Sequence, residues 1–239
     1  MQKLARSLQK RGALGTVRIA VAHFLSPAYM RTRQAWRHYI ETRFDRKFRV
    51  DTAGIVRYYR NLSTDPYYDA GNYQAASQRI FNRIMKALDI DHQRFVFVDV
   101  GCGKGKILLL AARFPFQQIL GVELSPALAR TAVKNTRTYQ TALERPVEFK
   151  VECLDAADWQ VPPEPLILFL YNPFGEQTLG RLLAKIRESL REHPRELYLL
   201  YYNPEFETAV AQCDFLKRVT VTGKYVIYAS TAEKNGNPC

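Results

Sequence analysis

At 239 residues, with 47% hydrophobic and 12% aromatic content, the chain can bury the core of one α/β domain plus a modest extension, and it is too apolar to stay disordered. No uninterrupted apolar run approaches the ~20 residues that span a bilayer, so no spanning helix is expected. The net charge of +12 is lopsided: residues 1–50 hold twelve Lys/Arg against only Glu41 and Asp45, so +10 of it lies there and the rest of the chain is nearly neutral.

Residues 1–50 read as a basic helical extension, with Leu4, Leu8, Leu14, Val17, Val21 and Phe24 at roughly helical spacing. Three readings stay open for it: an arm whose apolar stripe packs on the main domain, a helix attracted to an anionic membrane surface, or an arm for nucleic acid or an acidic partner. Its Arg-rich, acid-poor start also resembles a mitochondrial transit segment. Residues 42–73 read as loop, aromatic and punctuated by Gly54, Pro66 and Gly71. Ile80, Phe81, Ile84, Met85 and Leu88 then predict a core-facing helix.

The most informative stretch is Phe95 to Lys106, Phe-Val-Phe-Val-Asp-Val-Gly-Cys-Gly-Lys-Gly-Lys. A short run that is apolar throughout predicts a parallel strand buried on both faces. Gly101, Gly103 and Gly105 turn the chain into an apolar helix from Ile107, and their backbone can approach a ligand closely. A dinucleotide loop reads G-x-G-x-x-G, whereas here the third glycine comes one residue early and an acid, Asp99, stands two residues before the first. A carboxylate there suits a cationic ligand better than a phosphate. Gln118 to Glu123 is a second apolar strand ending in an acid, placed to accept both hydroxyls of a ribose. Ser125-Pro126 predicts an N-cap with proline in the first helical turn.

Val147 to Asp155 predicts a third strand; of its neighbours, Asp158 reads as solvated and Trp159 as core. Leu166 to Leu170 is a fourth, followed by Tyr171-Asn172-Pro173-Phe174-Gly175, and Glu176 to Glu192 is an amphipathic helix. Glu196 to Tyr202 repeats the pattern of apolar strand followed by Asn203-Pro204, and Phe215 to Ala229 predicts a hairpin turning near Thr222-Gly223. Cys102, Cys153, Cys213 and Cys239 lack metal-ligand spacing, which predicts reduced thiols, no metal and a cytoplasmic protein that is soluble or peripheral to the membrane.

The spacing Asp99-x-Gly101-x-Gly103-x-Gly105 resembles motif I of the class I S-adenosylmethionine-dependent methyltransferases, over about residues 67–230. The resemblance implies a three-layer, seven-stranded Rossmann-like sheet ending in an antiparallel hairpin, divided as extension (1–50), lid or cap with first helix (51–90), cofactor-binding domain (91–231) and tail (232–239). It implies S-adenosylmethionine as cofactor, held by Tyr73, Asp99, Gly101, Gly103, Gly105, Glu123, Asp155 and Asn172, with Asp155 on the adenine amino group. Tyr67, Tyr68 and Tyr73 are lid candidates by the same resemblance, or else ordinary packing tyrosines. Asn172-Pro173-Phe174 resembles, without its second proline, the Asp/Asn/Ser-Pro-Pro-Tyr/Phe motif of enzymes that methylate nitrogen. That implies Asn172, Phe174 and Tyr202 at the reacting centre and a nitrogen of a protein or small molecule as acceptor; within the family the chain is distantly similar to non-SET protein-lysine methyltransferases. A nucleic-acid methyltransferase and a non-catalytic membrane or nucleic-acid adaptor on this fold stay open as alternatives.

Overall fold

The computed structural model describes residues 39, 42–56 and 69–231. Most of the basic extension, Tyr67 and Tyr68, Cys239 and the tail lie outside the described residues. The chain divides into two units, Met1–Phe44 and Asp45–Cys239, and the second carries everything that follows.

Its frame is a seven-stranded mixed sheet. Two short strands, β1 (Ile55–Val56) and β2 (Tyr73–Gln74), pair with each other apart from it. The main strands are β3 (Val96–Val100), β4 (Ile119–Glu123), β5 (Phe149–Cys153), β6 (Leu166–Leu170), β7 (Leu197–Tyr202), β8 (Leu216–Val221) and β9 (Tyr225–Ser230), in the order β5-β4-β3-β6-β7-β9-β8. The first five are parallel; β9 runs antiparallel to β7, and β8 to β9. This is a seven-stranded, Rossmann-like sheet with an antiparallel end, the architecture that the sequence resemblance implied.

The helices are α1 (Gln78–Ala87), α2 (Lys106–Ala111), α3 (Pro126–Gln140), α4 (Glu176–Glu192) and α5 (Glu207–Ala211). Strand side chains alternate between faces, so each strand feeds two cores. Val96, Val98 and Val100 of β3 share one core with Leu179, Leu182, Leu183 and Ile186 of α4. Phe97, between them, packs with Phe81 of α1, Phe116 and Phe169 on the opposite face. Burial on both faces is why β3, β4 and β6 are apolar residue after residue, with every position of each buried. Trp159 is buried in the α4-side core and Asp158 is exposed.

Ser125 caps α3, its hydroxyl accepting from Leu128 N at 3.5 Å, with Pro126 opening the helix. Cys102, Cys153 and Cys213 are free thiols. Residues 42–73 depart from the loop reading: residues 42–48 are helical, and the β1–β2 ribbon closes across the undescribed stretch 57–68. These elements are held by bonds to distant residues, which leave no local periodicity in the sequence.

Candidate active site

Strand order reverses between β3 and β6: the chain leaves β3 toward β4 and β5 and returns to β6 and β7 on the other side. Ligands of open α/β sheets bind over the carboxyl ends of the strands at such a switch point. A cavity of about 340 Å³ lies there, within the usual size of small-molecule sites.

Asp99, on β3, points from the strand into this cavity and is 3% exposed. No hydrogen bond or ion pair to its carboxyl is found among the described residues. Burial, and secondarily the nearby Glu123, pushes its pKa well above the carboxylate range. Glu123, at the end of β4, is 6% exposed and is held at both oxygens: Oε2 accepts from Gly103 N and Oε1 from Ser125 N, each at 2.8 Å. Burial raises its pKa while these N–H groups oppose the rise. A carboxylate offers about four acceptor positions, so it keeps acceptor capacity for a ligand beyond these bonds. Asp155, after β5, accepts from Ala157 N at 2.8 Å and lies 4.0 Å from Arg181.

The glycine loop is shaped by what crowds it. Gly101, Gly103 and Gly105 all take positive φ. A Cβ on Gly103 would sit 2.1 Å from the Tyr73 ring, and one on Gly101 would sit 2.2 Å from Pro173 Cβ. Tyr73 is fixed over the loop by its hydroxyl, which donates to Thr52 O at 2.5 Å. Gly105 lies back from the cavity, against Ala132 of α3.

Beneath Tyr73, residues 45–53 strap the loop. The Asp45 carboxylate accepts from Thr52 N, Thr52 Oγ1 and Ala53 N, and lies 3.8 Å from Lys106 Nζ. Lys104 Nζ pairs with Asp51 at 2.7 Å and donates to Ala53 O. The buried Asn135 donates to Asp51 O and Lys104 O and accepts from Asp51 N.

Across the switch point, Asn172 takes the left-handed conformation at φ 46°, as Asn203 does at φ 51°; asparagine tolerates this region better than most residues. Asn172 Nδ2 donates to Glu205 Oε2 at 2.5 Å, and its Oδ1 accepts from Tyr201 Oη at 3.3 Å. Burial raises the Tyr201 pKa, keeping its hydroxyl a donor. Pro173 O accepts from Gly71 N at 2.6 Å, and Asp69 joins α4 through Thr178 N to its Oδ2 and Gly175 N to its carbonyl.

Tyr73, Asp99, Gly101, Glu123, Asp155, Asn172 and Phe174 therefore line one cavity. Gly103, Gly105 and Tyr202 do not line it. Tyr202 stacks on Tyr171 with ring centroids 4.3 Å apart, while Tyr201, facing the other way on β7, reaches Asn172. Strand alternation is the signal that distinguishes those two tyrosines. Asp69, Lys106 and Glu205 also line the cavity; only the repeated Tyr-Asn-Pro after β6 and β7 pointed near Glu205.

Residues 97–193 match the family model described as a methyltransferase domain. Over that stretch, about two fifths of its length, the chain is similar to the methyltransferase family. The residues present fit S-adenosylmethionine, the cofactor implied by the sequence resemblance: Asp99 is a buried acid with no hydrogen-bond or ion-pair partner among the described residues, and Glu123 keeps acceptor capacity toward the cavity. No curated protein matches the chain. Among solved structures it is similar to an RNA methyltransferase from Salinibacter ruber bound to S-adenosylhomocysteine, at 18% identity over 68% of this chain and 95% of that one, TM-score 0.45. It is also similar to a predicted N6-adenine-specific DNA methylase from Listeria monocytogenes, at 15% identity over 66% and 51% of the chains, TM-score 0.49. A third is the magnesium protoporphyrin IX methyltransferase from Synechocystis with bound S-adenosylmethionine, at 14% identity over 64% and 79%, TM-score 0.44. Among the described residues no group of acids, cysteines and histidines could hold a metal ion, and no helix of them is long and apolar enough to cross a membrane.

Proposed function

We propose that the domain methylates a nitrogen of a protein or small-molecule acceptor. The observation that carries the reading is the buried carboxyl of Asp99, without a partner among the described residues, beside Glu123 in a cavity that ends on Asn172. Asp99 and Glu123 would bind the cationic portion and the ribose of S-adenosylmethionine, Asp155 the adenine amino group, and Tyr73 and Gly101 would shape the floor. When bound, that cofactor supplies a methyl group on an already activated sulfonium, so the protein's work is alignment, exclusion of water and proton release.

Asn172 would orient the acceptor with Phe174 beside it. Its amide cannot turn over without losing bonds to both Tyr201 and Glu205, so the position of its oxygen is fixed in advance. The remaining lone pair of that oxygen is the acceptor available to an N–H group. The Pro173 carbonyl, the second such acceptor in the nitrogen-methylating pattern, already takes the Gly71 N–H, which favours a substrate needing one strong contact there. We divide the chain accordingly into an extension (1–50), a cap (51–90), the binding domain (91–231) and a tail.

Calorimetry with S-adenosylhomocysteine, followed by radiolabelled methyl transfer to a lysate from cells lacking the protein, tests this reading. Binding with label incorporated into an amine is expected; label incorporated into nucleic acid would overturn the acceptor assignment. Asn172→Ala should bind cofactor normally and turn over slowly, and unchanged turnover would remove Asn172 from the reacting centre.

A further inference from the structure

The chain as a whole is basic, at +12, yet the lining of its cavity is acidic. Among the described residues, Asp69, Asp99, Glu123, Asp155 and Glu205 face the cavity against one base, Lys106. These acids divide at the switch point. Glu123 and Asp155 end the strands on one side of β3, where the cofactor is assigned. Glu205 follows β7 on the other side, and Asp69 packs on the N-terminal turn of α4.

The cofactor's net positive charge is met by the first group together with Asp99. Nothing in the cofactor's half calls for Glu205. Its carboxylate is exposed and bonds the amide that faces the acceptor at 2.5 Å. Beside it, Tyr171 lines the cavity and is stacked on Tyr202, offering an aromatic wall of the kind that attracts cations. A phosphate-bearing acceptor would meet like charge here, which disfavours it.

We propose that the acceptor is an alkyl amine that enters as an ammonium between Glu205 and the Tyr171 ring and releases a proton to solvent before its lone pair attacks, and that Glu205 is the specificity-determining residue. This rests on the nitrogen-methylation reading and adds the charge state of the substrate. Glu205 acts in two ways: it holds Asn172 Nδ2, which keeps the amide oxygen available, and its second oxygen presents negative charge at the mouth.

The test uses the full chain saturated with S-adenosylhomocysteine and labelled with ¹⁵N, reading the side-chain amide signals of Asn172. Titration with n-butylammonium should shift those signals saturably, while n-butanol, of matching shape and no charge, should leave them in place. Glu205→Gln, an isosteric change at an exposed position, should weaken the n-butylammonium response roughly tenfold, the loss expected for a hydrogen bond to a charged group. Its affinity for S-adenosylhomocysteine and its melting temperature should stay at the wild-type values.

Equal responses to the amine and the alcohol would overturn the proposal while leaving the cofactor site standing, as would an undiminished amine response in Glu205→Gln. Competition for the same signals by a single-stranded oligonucleotide would overturn it in favour of a nucleic-acid acceptor. Failure of the wild-type chain to bind S-adenosylhomocysteine would overturn the underlying reading, and the proposal with it.

Discussion

Asp99 is held in the fold at a cost to the empty protein. An acid whose pKa in the folded state is raised contributes stability at low pH and loses it as pH climbs through the raised value. Burial raises Asp99 and Glu123 in the same direction, so the cofactor-free protein should lose stability as pH rises above the ordinary carboxylate range. A cationic ligand favours the ionised acid, so S-adenosylmethionine affinity should rise with pH over that interval, with proton release seen as a calorimetric heat that depends on buffer. Asp99→Asn should flatten both profiles, leaving the apo protein less sensitive to rising pH and weakening the cofactor by about 1–3 kcal/mol. Unfolding by urea across pH, paired with calorimetry, checks the sign; an unaltered pH profile in Asp99→Asn would assign the titration elsewhere. The neighbouring glycine gives a second residue-scale outcome. A methyl group on Gly103 meets the Tyr73 ring at 2.1 Å and must also adopt φ 55°, so Gly103→Ala should be strongly destabilising. Adding Tyr73→Ala frees the space but leaves the backbone strain, so the double variant should recover only part of the loss. A double-mutant cycle by denaturant unfolding measures the coupling, and strictly additive effects would show that the ring does not crowd this glycine.

Beyond its helical residues 45–48 the strap has no regular secondary structure, and it is held by side chains, Asp45 of its own together with Lys104 and Asn135. Asn135 is the buried anchor from outside the strap: it is 2% exposed and satisfies both backbone groups of Asp51 together with Lys104 O. Asn135→Ala should leave those groups unpaired, costing about 1–3 kcal/mol of stability and raising amide exchange at Asp51, Thr52 and Ala53. Exchange at wild-type rates in these three amides would show that Lys104 and Asp45 hold the strap without Asn135. The same contrast explains what was legible in the sequence. Strands β3, β4 and β6 are written in their composition because both faces are buried, and Ser125-Pro126 marks a helix start in two letters. The Asn135 bonds to the strap, the β1–β2 ribbon and the link from Tyr201 to Asn172 join residues from 17 to 84 positions apart, and no local pattern encodes such pairings. Asp99, Glu123 and Asn172 could be picked out because each stands at a strand end beside a turn motif. Asp69 and Glu205 reach the same cavity from connecting segments, where an acid is an ordinary surface residue until the fold brings it inward.

Charge is separated across the whole molecule: carboxylates line the cavity, while residues 1–38 contain eight Lys/Arg and no acid, leaving a net of +4 for the remainder. A cluster of exposed bases is drawn to polyanions, so the basic segment is expected to govern contacts with external polyanions. Removing residues 1–38 should therefore lower the salt needed to elute the protein from heparin at neutral pH, while S-adenosylhomocysteine affinity stays unchanged at fixed ionic strength. The two measurements separate the roles. Elution at undiminished salt would move the polyanion contact to the body of the domain, whose basic residues are interspersed with acids. A fall in cofactor affinity would make the segment part of the cap, in which case its charge could not be assigned to a partner outside the molecule. With both outcomes as expected, cofactor binding in the cavity and polyanion binding by the basic segment are independent of each other.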